Sequence, residues 1–399
     1  MKLPQLTAKD EILAAVKSFR PSQGGQLPAA QVASVLGTTH VAGRYALTDE
    51  PYLVEGARAV RERLGYRHLK LWFHNPENLY HWNSDWNLPD DYTLAQLAAH
   101  PYYREAFAFP FDSFTLEVFF TQKGRRQKRP PGWMIPPDLD FDHEEKEIRD
   151  LGVHLLETYR DRAVTFILQN WEGDWMMRDF PGAEWSDPGK LPGDWERRVE
   201  TFLRWAKARQ AGVDAARARV PDSKCRVLHA VEVNRVFDAL LGAPTVVSHV
   251  LPHVEIDLVA WSAYDGVNRG PEGTGDASAV GTWQGFDLIK HYARTRERDA
   301  QDRPQVMVGE FGLSEVTRPP DHDLDDILEG ALAAGLAHGC PLMHYWELYC
   351  NEPEDQSLKD RVIPRNLREE ELHGLWLIKP DGSLGIAGRY FAGLLGRPS

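Results

Sequence analysis

The chain has 399 residues, of which 42% are hydrophobic and 26% are charged, and its formal net charge is −13 at pH 7. These are ordinary globular proportions, and a core of this size needs neither disulfides nor a metal to be stable. The acidic balance argues against nucleic acid and anionic membranes as partners, because phosphate groups are bound by basic surfaces.

Residues 1–30 are predicted to form a helical lead-in. Charges occur throughout this segment, so it lacks the apolar stretch of a signal peptide. No apolar run approaches the roughly 20 residues of a membrane span. The three cysteines, Cys225, Cys340 and Cys350, give no disulfide framework and no zinc signature. We therefore expect a cytoplasmic protein.

Short β-rich apolar runs alternate with helical patterns along the rest of the chain, which is typical of βαβ units. Predicted strands cover residues 32–44, 68–75, 115–121, 164–172, 226–234, 256–264, 305–310 and 341–347. Predicted helices cover residues 51–64, 142–160, 194–217, 282–296 and 324–338, with Gly65 and Gly339 following two of them as C-terminal caps.

Eight strands with helices between them predict an α/β fold, namely a single (β/α)8 TIM barrel with long βα loops. One catalytic domain is expected to span residues 1–399 and to close with a strand-turn-helix at 374–399. The long loops are residues 175–191 and 347–371, and such loops shape access to substrate. The glycine-rich residues 273–281 lack the GxxxxGKS or GxxxxGKT pattern of a phosphate-binding loop and are predicted to be an ordinary loop.

Two glutamates end predicted strands, Glu172 on the fourth and Glu310 on the seventh. TIM barrels carry their catalytic residues at the C-terminal ends of strands. Strands four and seven lie on opposing arcs of the ring, so both carboxylates are expected to reach the mouth of the barrel. Glycoside hydrolysis needs such a pair, because one carboxyl group donates a proton while the other is ionised.

Other strand ends carry residues suited to binding a sugar. His74 and Asn75 end the second predicted strand and are candidates for contacts with hydroxyl groups. Arg44, near the end of the first, is a candidate for orienting a carboxylate. Glu232 and Asn234 share a face of the fifth strand, and Asn234 is taken as the substrate-binding member of the pair.

The run VGEFG at 308–312 is similar to the nucleophile strand of clan A glycoside hydrolases, and QNWEGDW at 169–175 is similar to their acid/base site. Residues 374–394 resemble the closing strand-turn-helix of the same enzymes, and the whole is closest in type to family 5-like members. The resemblance implies that Glu310 is the nucleophile and Glu172 the general acid/base. It also implies that Tyr264 hydrogen-bonds the nucleophile and that Trp346 forms the floor of the −1 subsite.

The sequence departs from the clan's pattern at one point. The clan has an asparagine directly before the acid/base glutamate, where it binds the sugar 2-hydroxyl, but here Trp171 separates Asn170 from Glu172. In an extended strand Asn170 and Glu172 share a face, so Asn170 is still expected to reach the substrate. Alternatively, a bulge re-aims Trp171, which is also a candidate for substrate contact.

These residues favour a retaining glycoside hydrolase that cleaves a β-glycosidic bond of an oligosaccharide or glycoside without a cofactor or a metal. Two alternatives stay open at this point. One is a non-catalytic barrel that binds carbohydrate, and the other is a TIM-barrel hydrolase that uses a metal ion. Fold alone does not decide between them.

Overall fold

In the computed structural model, eight parallel strands close into one barrel, in which each strand pairs with the next in sequence and the last pairs with the first. The structure describes residues 4–128, 133–179, 183–269, 273–359 and 361–398. The strands are β1 Leu36–His40, β2 His68–Trp72, β3 Ser113–Glu117, β4 Thr165–Gln169, β5 Arg226–Val233, β6 Leu258–Ser262, β7 Val306–Phe311 and β8 Met343–Tyr345.

Helices surround this barrel and cap its ends. The α-helices are α1 Lys9–Val16, α2 Ala29–Val35, α3 Tyr52–Arg58, α4 Pro76–Leu79, α5 Leu94–Ala98, α6 Pro101–Ala108, α7 Gln122–Arg126, α8 Phe141–Thr158, α9 Gly173–Arg178, α10 Trp195–Arg219, α11 Tyr264–Val267, α12 Gly275–Tyr292, α13 Leu324–Ala337 and α14 Ile386–Leu394. None of the helices in the described part of the chain combines the length and the apolar character that crossing a bilayer requires.

Two apolar layers hold the barrel together, because successive side chains of a strand point to opposite faces. Inside the ring, Ile167, Ala230 and Met307 belong to a small cluster contributed by β4 to β7 and the segment before β8. Outside it, the alternate residues Phe166 and Leu168 join a much larger cluster between the sheet and the helices. The inner apolar layer supports the polar residues at the C-terminal ends of the strands.

All eight predicted strands are present, and the predicted closed barrel is confirmed. Gly65 and Gly339 have φ of 75° and 76°, in the left-handed region that a glycine after a helix adopts without strain. One loop prediction is wrong: α12 begins at Gly275, so most of the glycine-rich run at 273–281 is helical. The Thr274 side chain accepts a hydrogen bond from Ala277 N at 3.3 Å and caps this helix.

The two long loops contain short helical segments of their own. The first contains most of α9 and the turns Ala183–Ser186 and Pro188–Lys190, while residues 180–182 lie outside the described residues. The second contains Gln356–Leu358 and Glu369–Glu371.

Candidate active site

Glu310 faces the inside of the barrel because β7 carries one extra residue. Val308 pairs with Met343 and Phe311 with Tyr345, so three steps on β7 match two on β8, and the pairing with β6 also shifts. Val308 and Phe311 both join the outer apolar cluster, although residues three apart on a regular strand face opposite ways. This bulge turns Glu310 inward.

The extra residue must be small, and it is Gly309. A Cβ atom at this position would lie 2.3 Å from Glu232 Oε1. We expect Gly309→Ala to reduce stability by about 1–3 kcal/mol, as overpacking of a buried site does, and to reduce activity as well. Thermal unfolding measures the loss.

Gly393→Ala on α14 is the matched control, since nothing lies within 4 Å of a Cβ atom at that position. Equal stability of both variants and wild type would contradict the close packing at Gly309.

Lys70 on β2 lies at the centre of the buried charges. Its Nζ atom is 2.6 Å from Glu310 Oε1, 3.0 Å from Glu117 Oε2 and 3.3 Å from Glu232 Oε1. Burial alone would lower the pKa of Lys70, but Glu232, Glu310 and Glu117 together raise it above its usual value. Lys70 is therefore a permanent cation, which supplies the charge that three clustered carboxylates would otherwise take from a metal ion.

Glu310 has a second partner besides Lys70. The hydroxyl group of Tyr264, the first residue of α11, donates a hydrogen bond to Glu310 Oε2 at 3.3 Å. Burial raises the pKa of Glu310 to about 7 against the opposing effect of Lys70, and the charge of Glu232 adds to the rise. Hydrogen bonds from Lys70 and Tyr264 favour the ionised form, so Glu310 is available as a carboxylate near neutral pH.

Glu172 lies directly before α9, three residues past the end of β4. Its backbone N–H donates to Glu232 Oε2 at 2.9 Å, and only 9% of the residue is exposed. Burial raises the pKa of Glu172 well above its ordinary value, and the charges of Glu310 and Glu232 raise it further. The surroundings of Glu172 therefore favour its protonated form.

Asn170 is not placed as the sequence suggested. β4 ends at Gln169, so residues 170–172 are not extended, and Asn170 and Glu172 do not share a strand face. Asn170 Oδ1 accepts from Glu232 N at 3.1 Å, while Nδ2 donates to Glu232 O at 3.1 Å and Trp171 O at 3.0 Å. Asn170 thus fastens the end of β4 to β5, and these bonds use both amide hydrogens that a sugar contact would need.

Aromatic rings from several strand ends meet beside the carboxylates. The ring centre of Trp72 lies 5.6 Å from His74, 6.4 Å from Trp171 and 6.1 Å from Trp346. Phe119 lies 5.6 Å from His74 and 6.3 Å from Trp171, so the rings form a closed circuit. Burial lowers the pKa of His74 to about 3, and Arg125 adds to this effect. His74 is therefore a neutral ring within an aromatic wall.

Three of the predicted substrate contacts have structural partners instead. Arg44 donates to the backbone oxygens of Asn351 and Arg361 at 2.8 Å each and also to that of Lys359, so it ties down the loop after β8. The side-chain oxygen of Asn234 accepts a hydrogen bond at 3.0 Å from the backbone N–H of Asp174, which lies in the first turn of α9.

Asn75 adopts a left-handed conformation with φ of 47° and directly precedes the short helix α4, without a capping hydrogen bond from its side chain. Its own backbone N–H donates to the Tyr92 hydroxyl at 3.1 Å. Like Arg44 and Asn234, this residue has hydrogen-bond partners within the loops.

Sequence reasoning missed Lys70 and Glu117 and chose Asn234 where Glu232 faces the interior. A signal for all three was present. Lys70 stands in the apolar run HLKLWF, Glu117 in TLEVFF and Glu232 in HAVEVN. A charge inside a run that is otherwise apolar on both faces has no solvated side to occupy, so it must meet an opposite charge in the barrel interior.

No protein-family profile and no curated protein matches this sequence. Among solved structures, the chain is similar to GH5_18 from Streptomyces cattleya in complex with GlcNAc, with a TM-score of 0.53, 14% identity, and coverage of 91% of this chain and 79% of that one. A variant of that protein with Manb1-4GlcNAc gives a TM-score of 0.51 at 15% identity, covering 91% and 80%.

The exo-beta-1,4-mannosidase Op5Man5 from Opitutaceae bacterium strain TAV5 gives a TM-score of 0.54 at 12% identity, covering 91% of this chain and 59% of that one. These structures are clan A glycoside hydrolases, so the resemblance inferred from the sequence is confirmed as a likeness of fold. At such low identity the likeness says nothing about substrate.

Proposed function

We propose that this protein is a retaining glycoside hydrolase that cleaves a β-glycosidic bond by double displacement. The observation that carries the proposal is the pair of buried carboxyl groups at the barrel mouth: Glu310 accepts hydrogen bonds from Lys70 and Tyr264, while burial and the charge of Glu310 raise the pKa of Glu172. Two titratable groups with pKa values pushed apart are what acid and nucleophile roles require. The glycoside hydrolase fold of the similar structures supports the same conclusion.

The reaction follows from these roles. A Glu310 carboxylate oxygen attacks the anomeric carbon, while the bond from that carbon to the leaving oxygen breaks and the oxygen takes the Glu172 proton. The product is a glycosyl ester on Glu310. Glu172, now ionised, takes a proton from water, whose oxygen displaces Glu310 from the anomeric carbon. Two inversions give net retention.

The charges at the site favour a neutral sugar. Three carboxyl groups contact a single ammonium group, that of Lys70, and Glu172 is a fourth acidic group nearby, so an anionic sugar would be repelled. The sugar ring would lie against the aromatic wall, with Trp346 as the floor and His74 and Trp171 at the side, because sugars present apolar C–H faces to flat rings. Long loops around the mouth suit a pocket for a terminal sugar or a short oligosaccharide.

The ionisation of the two glutamates predicts the pH dependence. We expect kcat/KM to rise as the pH increases through a value near 7, since Glu310 must be ionised to attack. At higher pH the rate should fall, because Glu172 loses the proton that the leaving group needs. Initial rates from about pH 4 to about pH 10 give the profile. A rate independent of pH across the neutral range would contradict the assignment.

A panel of nitrophenyl glycosides tests the proposed activity. It should include β-mannosides, β-glucosides, β-galactosides and N-acetyl-β-glucosaminides, since the similar structures are a mannosidase and proteins crystallised with GlcNAc or Manb1-4GlcNAc. Proton NMR of the first product then reports its anomeric form. A β-product from a β-substrate is expected, and an α-product would exclude retention. Activity that a chelator abolishes would favour the metal-dependent alternative.

A further inference from the structure

Glu232 on β5 lies between the two proposed catalytic residues. It contacts the backbone of Glu172 and the lysine that pairs with Glu310. Its Oε2 atom accepts the backbone N–H of Glu172 at 2.9 Å. Its Oε1 atom lies 3.3 Å from Lys70 Nζ, which in turn is 2.6 Å from Glu310 Oε1. One side chain therefore links the segment after β4 with the bulge on β7, although two strands, β5 and β6, separate these elements around the ring.

The hydrogen bonds of Glu232 engage both of its carboxyl oxygens. Gln169 Nε2 also donates to its Oε1 atom, at 2.9 Å. Three donors thus converge on the two oxygens, and the side chain is fully buried. Because its oxygens are engaged in this way, Glu232 is poorly placed to react with a substrate.

The chain approaches Glu232 closely from both sides, and it does so with glycine each time. A Cβ atom at Gly309 would lie 2.3 Å from Glu232 Oε1, and one at Gly173 would lie 2.4 Å from the Glu232 backbone oxygen. Gly173 follows Glu172, and Gly309 precedes Glu310. The side chain of Asn170 adds two hydrogen bonds to the Glu232 backbone.

From this arrangement we propose that Glu232 is a positioning residue that fixes Glu172 and Glu310 relative to each other. The inference rests on the proposed function. The two carboxyl groups must keep a set separation, because that distance decides whether the second group attacks the sugar or activates water. The backbone of Glu172 is fixed by Oε2 and the carboxylate of Glu310 by Oε1 through Lys70.

The substitution Glu232→Gln keeps the shape of the side chain but cannot keep both the link to Glu172 and the link to Lys70. An amide has one oxygen and one NH2 group. The ammonium group of Lys70 has no acceptor, so the amide oxygen must face Lys70 and the NH2 group faces the Glu172 N–H. One link must break, and an error of about 1 Å in the position of a reacting group costs about a hundredfold in rate.

Two aryl glycosides distinguish the links. A dinitrophenyl glycoside has a leaving group that departs without a proton, so it reports on Glu310 alone, while a phenyl glycoside also needs the acid Glu172. We expect Glu232→Gln to lower kcat/KM about tenfold or more on the first substrate and about a hundredfold or more on the second. Its pH profile should shift as well, because a buried charge next to Lys70 is lost.

Glu117→Gln is the matched control. Glu117, like Glu232, is buried and forms an ion pair with Lys70, at 3.0 Å, but none of the hydrogen bonds and ion pairs in the described part of the chain joins its carboxyl group to Glu172. The Glu117→Gln substitution should change kcat/KM by the same factor on both substrates. If Glu232→Gln folds poorly, Asn170→Ala is the alternative variant, because it removes the side-chain hydrogen bonds that join the segment before Glu172 to β5. It should lower the rate on the phenyl glycoside selectively.

The outcomes are separable. A wild-type protein inactive on both substrates would overturn the proposed function. An active wild type with rates unchanged in Glu232→Gln would overturn the positioning role alone, as would equal losses on both substrates together with an unshifted pH profile.

Discussion

Replacing Glu310 by Gln is expected to lower kcat more than about a thousandfold, which corresponds to about 4 kcal/mol of transition-state stabilisation. A neutral amide cannot form the glycosyl ester, while its size and its oxygen preserve much of the contact with Lys70 and Tyr264. Steady-state rates on the best substrate of the panel measure the loss. Thermal unfolding confirms that the variant is folded.

The smaller variant Glu310→Gly identifies the nucleophile directly. Azide entering the vacated space should attack the anomeric carbon once and give the α-glycosyl azide from a β-glycoside, because a single displacement inverts the configuration. If the Glu310→Gln variant binds sugar and turns it over as fast as wild type, Glu310 is not the nucleophile. If wild type and Glu310→Gln bind the same sugar but neither turns over any substrate, the barrel is a carbohydrate-binding protein.

Replacing Lys70 by Met is expected to lower the free energy of unfolding by about 3–5 kcal/mol and to abolish activity. The substitution leaves Glu117, Glu232 and Glu310 buried together without a counter-ion. Burial and mutual repulsion would then force protons onto these groups, including the nucleophile. Urea unfolding at neutral pH measures the loss of stability.

Lys123→Met provides the comparison, since Lys123 pairs with Asp140 on the surface and its side chain is 57% exposed. An exposed pair contributes about 1 kcal/mol or less. Equal effects of the two substitutions would show that the charges around Lys70 do not depend on it.

The barrel was accessible from the sequence because its strands are short apolar runs separated by helical patterns, a local signal in every unit. The residues Glu172 and Glu310 were accessible for a related reason, since each follows such a run directly. What the sequence did not reveal is how the runs end. Strand β4 stops at Gln169, where the Asn170 side chain both donates to and accepts from the backbone of Glu232 on β5, a partner 62 residues away.

The contacts among the buried charges inside the barrel could not be predicted from the sequence either. Lys70, Glu117 and Glu232 stand on three different strands, and each alone indicates only that it meets some opposite charge inside the barrel, without identifying the partner. Only the closed ring brings them together, with the Lys70 ammonium 3.0 Å from Glu117 and 3.3 Å from Glu232. The contacts of Arg44 could not be predicted either, because its partners belong to the loop after β8 at the opposite end of the chain.

The additional residue on β7 has a consequence for protein design. Transplanting this pair of glutamates onto another eight-stranded scaffold cannot succeed by exchanging side chains alone, since a regular seventh strand would aim position 310 at the surrounding helices. The recipient strand would have to be lengthened by one glycine at the matching position. The backbone insertion is thus as much a part of the transferable unit as the acids themselves.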